Sequence, residues 1–223
     1  MHLFDRHLNF LGGHGIVGAH VPLGTGVAFA IKYRGGDQVC ICFMGESVVN
    51  TGAFHEALNM AGLWKLPVVY VIENNRYGMG TSISRASARI DLFHRGVPYG
   101  IPGEQVDGMD VVAVHRAGLA AVEQARAGQG PTILEMLTYR YRGHSMSDPA
   151  KYRSREEVDR MRTEHDPIDH LRRRLVDEHQ ANEDELKRIE RRARDLVAEA
   201  AQFAQDCPEP EPSELWTDVL AEA

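Results

Sequence analysis

Two polar turns contain the residues whose types best suit chemistry. Gly45-Glu46-Ser47 follows the mostly apolar run 38–44, and Asn74-Asn75-Arg76-Tyr77 follows a second run, 67–72. A carboxylate oxygen of Glu46, an amide oxygen of Asn75 and the backbone carbonyl of Tyr77 would form an oxygen-only cation site with positions left for phosphate and water. That composition suits Mg²⁺ on a diphosphate.

Each of these groups also has an ordinary structural explanation. Glu46 alone is compatible with a solvated carboxylate, and Asn74-Asn75 with a simple turn. His144 is one of eleven histidines and is compatible with an ordinary loop residue. The combination of the two turns favours a site over these separate explanations.

The elements that must position these turns indicate an α/β fold. The apolar runs predict buried parallel strands, and 51–64 between them predicts the crossover helix. A helix over 110–126 and a strand over 132–139 repeat the pattern, and residues 12–36 predict a glycine loop followed by a tightly packed helix. Ligands in such sheets bind at the carboxyl ends of strands, where both polar turns are expected.

The segment Gly13-His14-Gly15-Ile16-Val17-Gly18 fits the dinucleotide fingerprint, with Asp37 at about the expected distance. Residues 1–11 are too polar and too short for the buried strand that must precede such a loop, and Asp37 precedes the next strand instead of ending it. The sequence therefore argues against a nicotinamide cofactor.

Composition separates the chain into two parts. Residues 1–153 are predicted to form the α/β domain, and 154–223 a charged C-terminal helical region with a docking tail at Leu215-Trp216. Capping-box spacing occurs at Ser154/Glu157 and at Asn182/Glu185. The apolar stripes of these helices predict packing surfaces.

Charge and hydropathy exclude several classes of function. A formal net charge of -7 argues against nucleic-acid binding, and no apolar run has the length of a bilayer span. The N-terminus lacks the features of a signal or transit peptide. The three cysteines include no C-x-x-C pair and are expected to be free thiols.

Beyond the two turns, several motifs resemble the alpha subunits of pyruvate dehydrogenase, in the thiamine-diphosphate-dependent 2-oxo acid dehydrogenase family. They span nearly the whole chain: Gly12-Gly13-His14-Gly15-Ile16-Val17-Gly18-Ala19, Asn59-Met60-Ala61, Trp64-Lys65-Leu66-Pro67, Glu73-Asn74-Asn75-Arg76-Tyr77-Gly78-Met79-Gly80-Thr81-Ser82, Val106-Asp107-Gly108-Met109-Asp110 and Gly143-His144-Ser145-Met146-Ser147-Asp148-Pro149.

The resemblance assigns roles to residues of this chain. It implies a thiamine-diphosphate-binding fold in which the cofactor lies against Gly15 and Val17, and in which Ser47 and Val48 border the diphosphate. Mg²⁺ would be held by the predicted cation site. His144 would lie in a loop that closes over the cofactor and would take part in catalysis. Ser145 matches a serine whose phosphorylation silences mitochondrial members of the family.

The resemblance also implies the reaction and the partners. The reaction is the decarboxylation of pyruvate, with the acetyl unit passed to lipoamide on the acetyltransferase component of a multienzyme complex. A beta subunit would complete the active site, in an α₂β₂ heterotetramer. The compartment would be the cytoplasm of a bacterium, which we prefer, or the mitochondrial matrix of a eukaryote.

The sequence departs from the family pattern at two places. Glu46 and Ser47 stand where the pyruvate branch usually has Asp and Gly, and the family normally carries a longer segment before the glycine loop, so the chain is expected to be truncated. Two alternatives stay open: the same chemistry on acetoin or on a branched-chain 2-oxo acid, and a non-catalytic fragment. The segment Gly143 to Pro149 favours pyruvate over branched-chain acids.

Overall fold

The computed structural model describes residues 2–217 and 219. It contains two compact units, one ending at Leu171 and the other beginning at Arg172. This division falls later in the chain than the predicted domain boundary after residue 153, and that boundary stays a prediction.

The first unit is built on one parallel sheet, which confirms the α/β fold class. The strand order is β1-β2-β6-β5, and each neighbouring pair is parallel. Its elements are α1 (His20–Tyr33), β1 (Cys40–Gly45), a 3₁₀ helix (Glu46–Asn50), α2 (Gly52–Leu63), β2 (Val68–Asn74), β3 (Tyr77–Gly78), β4 (Thr81–Ser82), α3 (Ile83–Ala86), a second 3₁₀ helix (Leu92–Tyr99), β5 (Gly103–Asp107), α4 (Val111–Arg126), β6 (Thr132–Leu137) and α5 (Arg155–His165).

Helices cover both faces of the sheet because the central strands are apolar on both sides. In β2, Val68, Tyr70 and Ile72 belong to one buried cluster, together with residues of α1 and α2. Val69 and Val71 belong to a second cluster, with residues of α4 and β6. Side chains alternate between the faces of a strand, so one short segment anchors both layers.

The helices that lead to and from the sheet begin at polar caps. The Thr51 hydroxyl accepts the Phe54 N–H at 3.4 Å, and an Asp110 carboxylate oxygen accepts the Val112 and Ala113 N–H groups at 2.8 and 3.2 Å. Such caps satisfy backbone donors that have no partner inside the helix. The predicted helices over 51–64 and 110–126 are thereby confirmed to within a residue.

No β-strand precedes the glycine loop in the described chain, where residues 2–11 form a turn closed by one antiparallel bridge between Asp5 and Phe10. The dinucleotide fingerprint thus lacks its structural context, as the sequence predicted. The three cysteines are free, and burial raises the pKa of Cys42 to about 12.

The charged region after residue 153 is helical, as predicted. Ser154 caps α5 by accepting the Glu157 N–H at 3.1 Å, but the Glu157 carboxylate accepts the Tyr139 hydroxyl at 2.9 Å instead of closing a capping box. A full capping box forms at Asn182/Glu185. Of the two bonds of the predicted capping box at Ser154, the structure therefore has only the one that the Ser154 side chain accepts. The Glu157 carboxylate accepts a bond from Tyr139, which is distant in the chain.

The remaining helices are α6 (Pro167–Asp177), which contains the division between the units, and α7 (Glu183–Asp206), followed by a 3₁₀ helix at Pro212–Trp216. Within the second unit, Arg172 pairs with Glu183 and Glu190 at 3.1 and 3.2 Å. Along α7, Ile189, Leu196 and Phe203 are exposed. The packing role predicted for this stripe stays a prediction.

Candidate functional site

The two polar turns lie at the same edge of the sheet. Strands β1 and β2 are adjacent and parallel, and their register pairs Gly45 with Glu73. Glu46 therefore leaves β1 at nearly the level where Asn74 ends β2. The backbone turns sharply after each strand, into the 3₁₀ helix after β1 and into the short hairpin of β3 and β4 after β2.

The Glu46 carboxylate is buried and incompletely satisfied. Only 3% of the residue is exposed, and Oε2 has no hydrogen-bond partner in the described structure. A Cβ built on Gly78 would lie 3.9 Å from Glu46 Oε1 and would collide with the Ser47 hydroxyl. Both side chains thus reach the β3–β4 hairpin. A buried carboxylate oxygen without a donor is costly unless a cation or water completes it, so this group fits a metal ligand.

The Asn74-Asn75-Arg76-Tyr77 turn is held by its own amide side chains. Asn74 Oδ1 accepts the Arg76 N–H at 3.0 Å, and Asn75 Oδ1 accepts the Tyr77 N–H at 3.2 Å. These two successive Asx turns hold Arg76 at a left-handed φ of 71°. An amide oxygen has two lone pairs, so Asn75 Oδ1 keeps one for a cation.

Two arginines, Arg153 and Arg140, donate hydrogen bonds to backbone carbonyls of this turn. The side chain of Arg153, a residue only 8% exposed, donates to the backbone carbonyls of Arg140 and Asn75. Its guanidinium carbon lies 4.7 Å from the ring centroids of both Tyr77 and Tyr139. Stacking on aromatic faces suits the planar, weakly hydrated guanidinium. Burial, together with the nearby Glu157 carboxylate, raises the pKa of Tyr139 to about 12, so its hydroxyl stays protonated.

Arg140 connects the turn to the loop at 140–153. It donates to the Met79 carbonyl at 2.6 Å, to the Tyr152 hydroxyl at 2.8 Å and to the Tyr77 carbonyl at 3.4 Å. Its Nη1 also lies 3.4 Å from His144 Nδ1. Because arginine only donates, Nδ1 must accept, and the proton of a neutral His144 ring then sits on Nε2.

The loop itself is organised around the Asp148 carboxylate. Asp148 accepts the His144 N–H at 2.8 Å, the Tyr152 hydroxyl at 2.7 Å and the Ala150 N–H at 2.9 Å. These bonds, the one from His144 foremost, lower the pKa of Asp148 to about 2. Ser145, whose hydroxyl lies 3.0 Å from that of Ser147, and the His144 side chain are exposed.

The predicted site residues fall into two groups. Glu46 and Ser47 reach the β3–β4 hairpin, which begins at Tyr77, and the Asn75 side chain bonds to the Tyr77 N–H. Arg140 connects the Tyr77 carbonyl with His144. Gly15 and Val17 lie on the exposed glycine loop, and this loop contacts Thr51, the N-cap of α2, at Gly18. The Val48 side chain is buried in the core. Their cofactor contacts stay predictions, as do all the assigned roles.

The sequence predicted that Arg140 belongs to a basic loop suited to a diphosphate, but it did not predict the contacts of Arg140 with the turn, and it assigned no role to Arg153 or Glu135. Glu135 is fully buried and accepts donors from three other segments. The signal for it was present: a lone acidic residue in the middle of an apolar strand is almost never buried unless it is paired. Arg153 had no comparable signal, because it is one of several basic residues in the loop at 140–153.

The described residues contain neither a cluster of acidic, histidine and cysteine ligands for a metal ion nor a helix suited to span a membrane. No group of three or more His, Cys, Asp or Glu is placed to hold a metal ion, and the predicted cation site is of a different kind, with one carboxylate and neutral oxygens. Within 2–217 and 219, no helix combines the length and the apolar character needed to cross a membrane.

The chain belongs to the family described as dehydrogenase E1 component, whose sequence model matches residues 1–213. It is 61% identical, over 99% of its length, to the pyruvate dehydrogenase E1 component subunit alpha of Rhizobium meliloti (strain 1021), and it spans 63% of that relative. It is 51% identical to the subunit of the same name from Rickettsia felis, over 98% of this chain and 67% of the relative. The somatic mitochondrial form of Sus scrofa is 50% identical over 96% of this chain and 54% of the relative.

Proposed function

We propose that this chain acts in the alpha subunit of a pyruvate dehydrogenase that depends on thiamine diphosphate and Mg²⁺. The observation that carries the proposal is the buried Glu46 carboxylate, whose Oε2 lacks a partner beside the Asn75–Tyr77 turn. The names of the relatives support pyruvate as the substrate, because each of the three is called a pyruvate dehydrogenase subunit.

The proposed metal ligands are Glu46, the Asn75 amide oxygen and the Tyr77 carbonyl, which together offer one negative charge and two neutral oxygens. A hard cation on these ligands would retain positions for water and for diphosphate oxygens. When bound, thiamine diphosphate supplies the electron sink for decarboxylation of the 2-oxo acid.

The cationic and polar groups around the turn would bind and orient the diphosphate. The N-terminus of α2, capped by Thr51, offers backbone N–H groups and the positive end of the helix dipole to an anion. His144, with Nδ1 occupied by Arg140, can donate from Nε2. Gly15 and Val17 would contact the cofactor from the glycine loop, and Ser47 and Val48 would border the diphosphate.

The subunit designation of the relatives supports a shared active site. We propose that a beta subunit completes it, in an α₂β₂ heterotetramer, and that a lipoyl acetyltransferase component receives the acetyl unit. Ser145 is exposed in the loop that carries His144, which suits the proposed modification by phosphorylation. The compartment, bacterial cytoplasm or mitochondrial matrix, stays a prediction.

Calorimetric titration of thiamine diphosphate into the complete protein, purified with its partner subunit, tests the metal ligand. Glu46→Ala removes the only charged group among the proposed ligands. Changes to residues that merely hydrogen-bond to metal ligands weaken metal sites by about 10–100-fold, so we expect affinity at fixed Mg²⁺ to fall by at least about 100-fold. Glu46→Asp keeps the charge and should retain activity. Glu123→Ala, at an exposed position of α4, is the matched control.

Raising the Mg²⁺ concentration should restore part of the affinity of Glu46→Ala, because the two neutral oxygens remain. Equal cofactor affinity in wild type and Glu46→Ala would show that Glu46 is not a ligand. A wild type that binds cofactor but does not decarboxylate pyruvate would instead contradict the substrate.

A further inference from the structure

A buried carboxylate in the sheet contacts the Asn74-Asn75-Arg76-Tyr77 turn, called the metal turn below because it carries two of the proposed metal ligands. Glu135 in β6 is 0% exposed, and it accepts four donors from three other segments. Oε1 accepts Asn74 Nδ2 at 2.6 Å, whereas Oε2 accepts the backbone N–H groups of Leu92 and Phe93 at 2.9 and 3.1 Å and Gln105 Nε2 at 3.1 Å. None of these contacts involves the groups proposed to touch cofactor or substrate.

The short bond to Asn74 fixes which way its amide points. A carboxylate only accepts, so the Asn74 amide must present its NH₂ group to Glu135. Its oxygen is then directed the other way, where it accepts the Arg76 N–H at 3.0 Å. Asn74 is itself only 3% exposed, so water has little access to replace either bond.

We propose that Glu135 is a positioning residue for the metal turn and acts through the orientation of the Asn74 amide. By accepting the Arg76 N–H, the Asn74 oxygen fixes the backbone conformation at Arg76. The residues on either side of Arg76 are the proposed ligands Asn75 and Tyr77. This inference rests on the proposed function, because it assigns a purpose to the geometry of that turn.

The proposal explains why the buried group is a glutamate. In Glu135→Gln, the single amide oxygen would keep the three donors that Oε2 has in the wild type, from Leu92, Phe93 and Gln105. The new NH₂ group would then face Asn74. Two NH₂ groups cannot satisfy each other, so Asn74 must rotate its amide. The Arg76 N–H then loses its acceptor, and the turn loses its Asx bond.

Exchanging the carboxylate and the amide between positions 135 and 74 should restore the hydrogen bond to the Arg76 N–H. With Asn74→Asp added to Glu135→Gln, the new carboxylate can accept from both the glutamine NH₂ and the Arg76 N–H. The number of buried charges is then the same as in the wild type. Asn74→Ala breaks the same link while leaving Glu135 with its other three donors, so it serves if Glu135→Gln folds poorly.

The first measurement needs no cofactor. Hydrogen exchange at the Arg76 amide, in the complete protein with its partner subunit, should be about tenfold faster in Glu135→Gln and in Asn74→Ala, which is the effect of losing roughly 1.4 kcal/mol. The double variant should return to the wild-type rate. Gln105→Ala removes a donor from the opposite oxygen and should leave Arg76 unchanged, as should Glu104→Gln, an exposed change of charge in β5.

The second measurement is the affinity for Mn²⁺ in the presence of thiamine diphosphate, followed by electron paramagnetic resonance. Glu135→Gln should weaken Mn²⁺ binding by about 10–100-fold, as for other changes to residues that orient metal ligands without touching the metal. The double variant should recover most of the affinity. Wild-type affinity in Glu135→Gln, or no recovery in the double variant, would overturn the inference alone. A wild type that binds no Mn²⁺ would overturn the proposed function as well.

Discussion

The turn after β2 and the loop after β6 both carry proposed site residues, but different contacts hold them. The turn rests on buried groups: Asn74 and Glu135 lie inside the sheet, and Arg153 supports it from beneath the Tyr77 ring. Residues 144–147 of the loop are exposed and depend on bonds to the Asp148 carboxylate. Exposed hydrogen bonds compete with water and contribute less than buried ones, which are costly to leave unmade.

This difference suits the two proposed roles. A metal site gains affinity when its ligands are already in place, because little conformational entropy is lost on binding. A loop that covers a cofactor must change more easily, since it has to admit and release ligands. The two arginines connect the regions, because Arg140 and Arg153 both donate to carbonyls of the turn.

The largest effect is expected for Arg153→Ala, which removes the support common to both regions. The variant loses the stacking on Tyr77 and Tyr139 and leaves the Asn75 and Arg140 carbonyls without this donor. We expect the free energy of unfolding to fall by about 2–4 kcal/mol in urea denaturation. Hydrogen exchange should rise in both 74–78 and 140–148. Arg155→Ala, at an exposed neighbouring position, is the control, and a change confined to one region would break the proposed connection.

A smaller effect, on activity alone, is expected for Ser145→Glu. The added carboxylate would lie in the loop with Arg140 and His144, where it would compete for the same donors as a diphosphate and repel it. Pyruvate decarboxylation by the assembled protein should fall at least about tenfold, the equivalent of ~1.4 kcal/mol, with unchanged thermal stability. Ser145→Ala separates loss of the hydroxyl from gain of charge. Wild-type rate and cofactor affinity in Ser145→Glu would contradict the placement of the loop over the cofactor.

The smallest effect concerns the pH dependence of the loop. The pKa of Asp148 is lowered from 3.8 to about 2 in the folded protein. A group with a lowered pKa stabilises the folded state above its unfolded pKa, and this contribution is lost as the pH falls through the folded pKa. The order of residues 143–149 should therefore persist down to about pH 4 and decline towards pH 2.

Hydrogen exchange of residues 143–149, corrected for the intrinsic rate at each pH, measures this decline. In Asp148→Asn, exchange should already be severalfold faster at pH 7 and should show no step between pH 4 and 2. The turn at 74–78 should show no such step in either protein. A loop that loosens in parallel with the turn would contradict the contrast between the two regions.

The sequence alone determined most of the regular structure and the general location of the site. Apolar runs bounded by polar turns predicted β1, β2 and β6, and the segment 51–64 between the first two runs predicted the crossover helix α2. Because consecutive parallel strands place their carboxyl ends at one edge, the two polar turns were expected to meet there, and Glu46 and the hairpin at Gly78 do. These are local or nearest-neighbour properties, which a sequence pattern encodes directly.

Only the tertiary structure decided how the site is supported. Strand β5 was not predicted, because Gly103–Asp107 contains one apolar side chain and becomes a strand by pairing with β6. Glu135 finds its partners 30 to 61 residues away in the chain, and Arg153 reaches the Asn75 carbonyl over a separation of 78 residues. The energy of such contacts depends on burial and on exact donor geometry, and neither exists until distant segments have packed together.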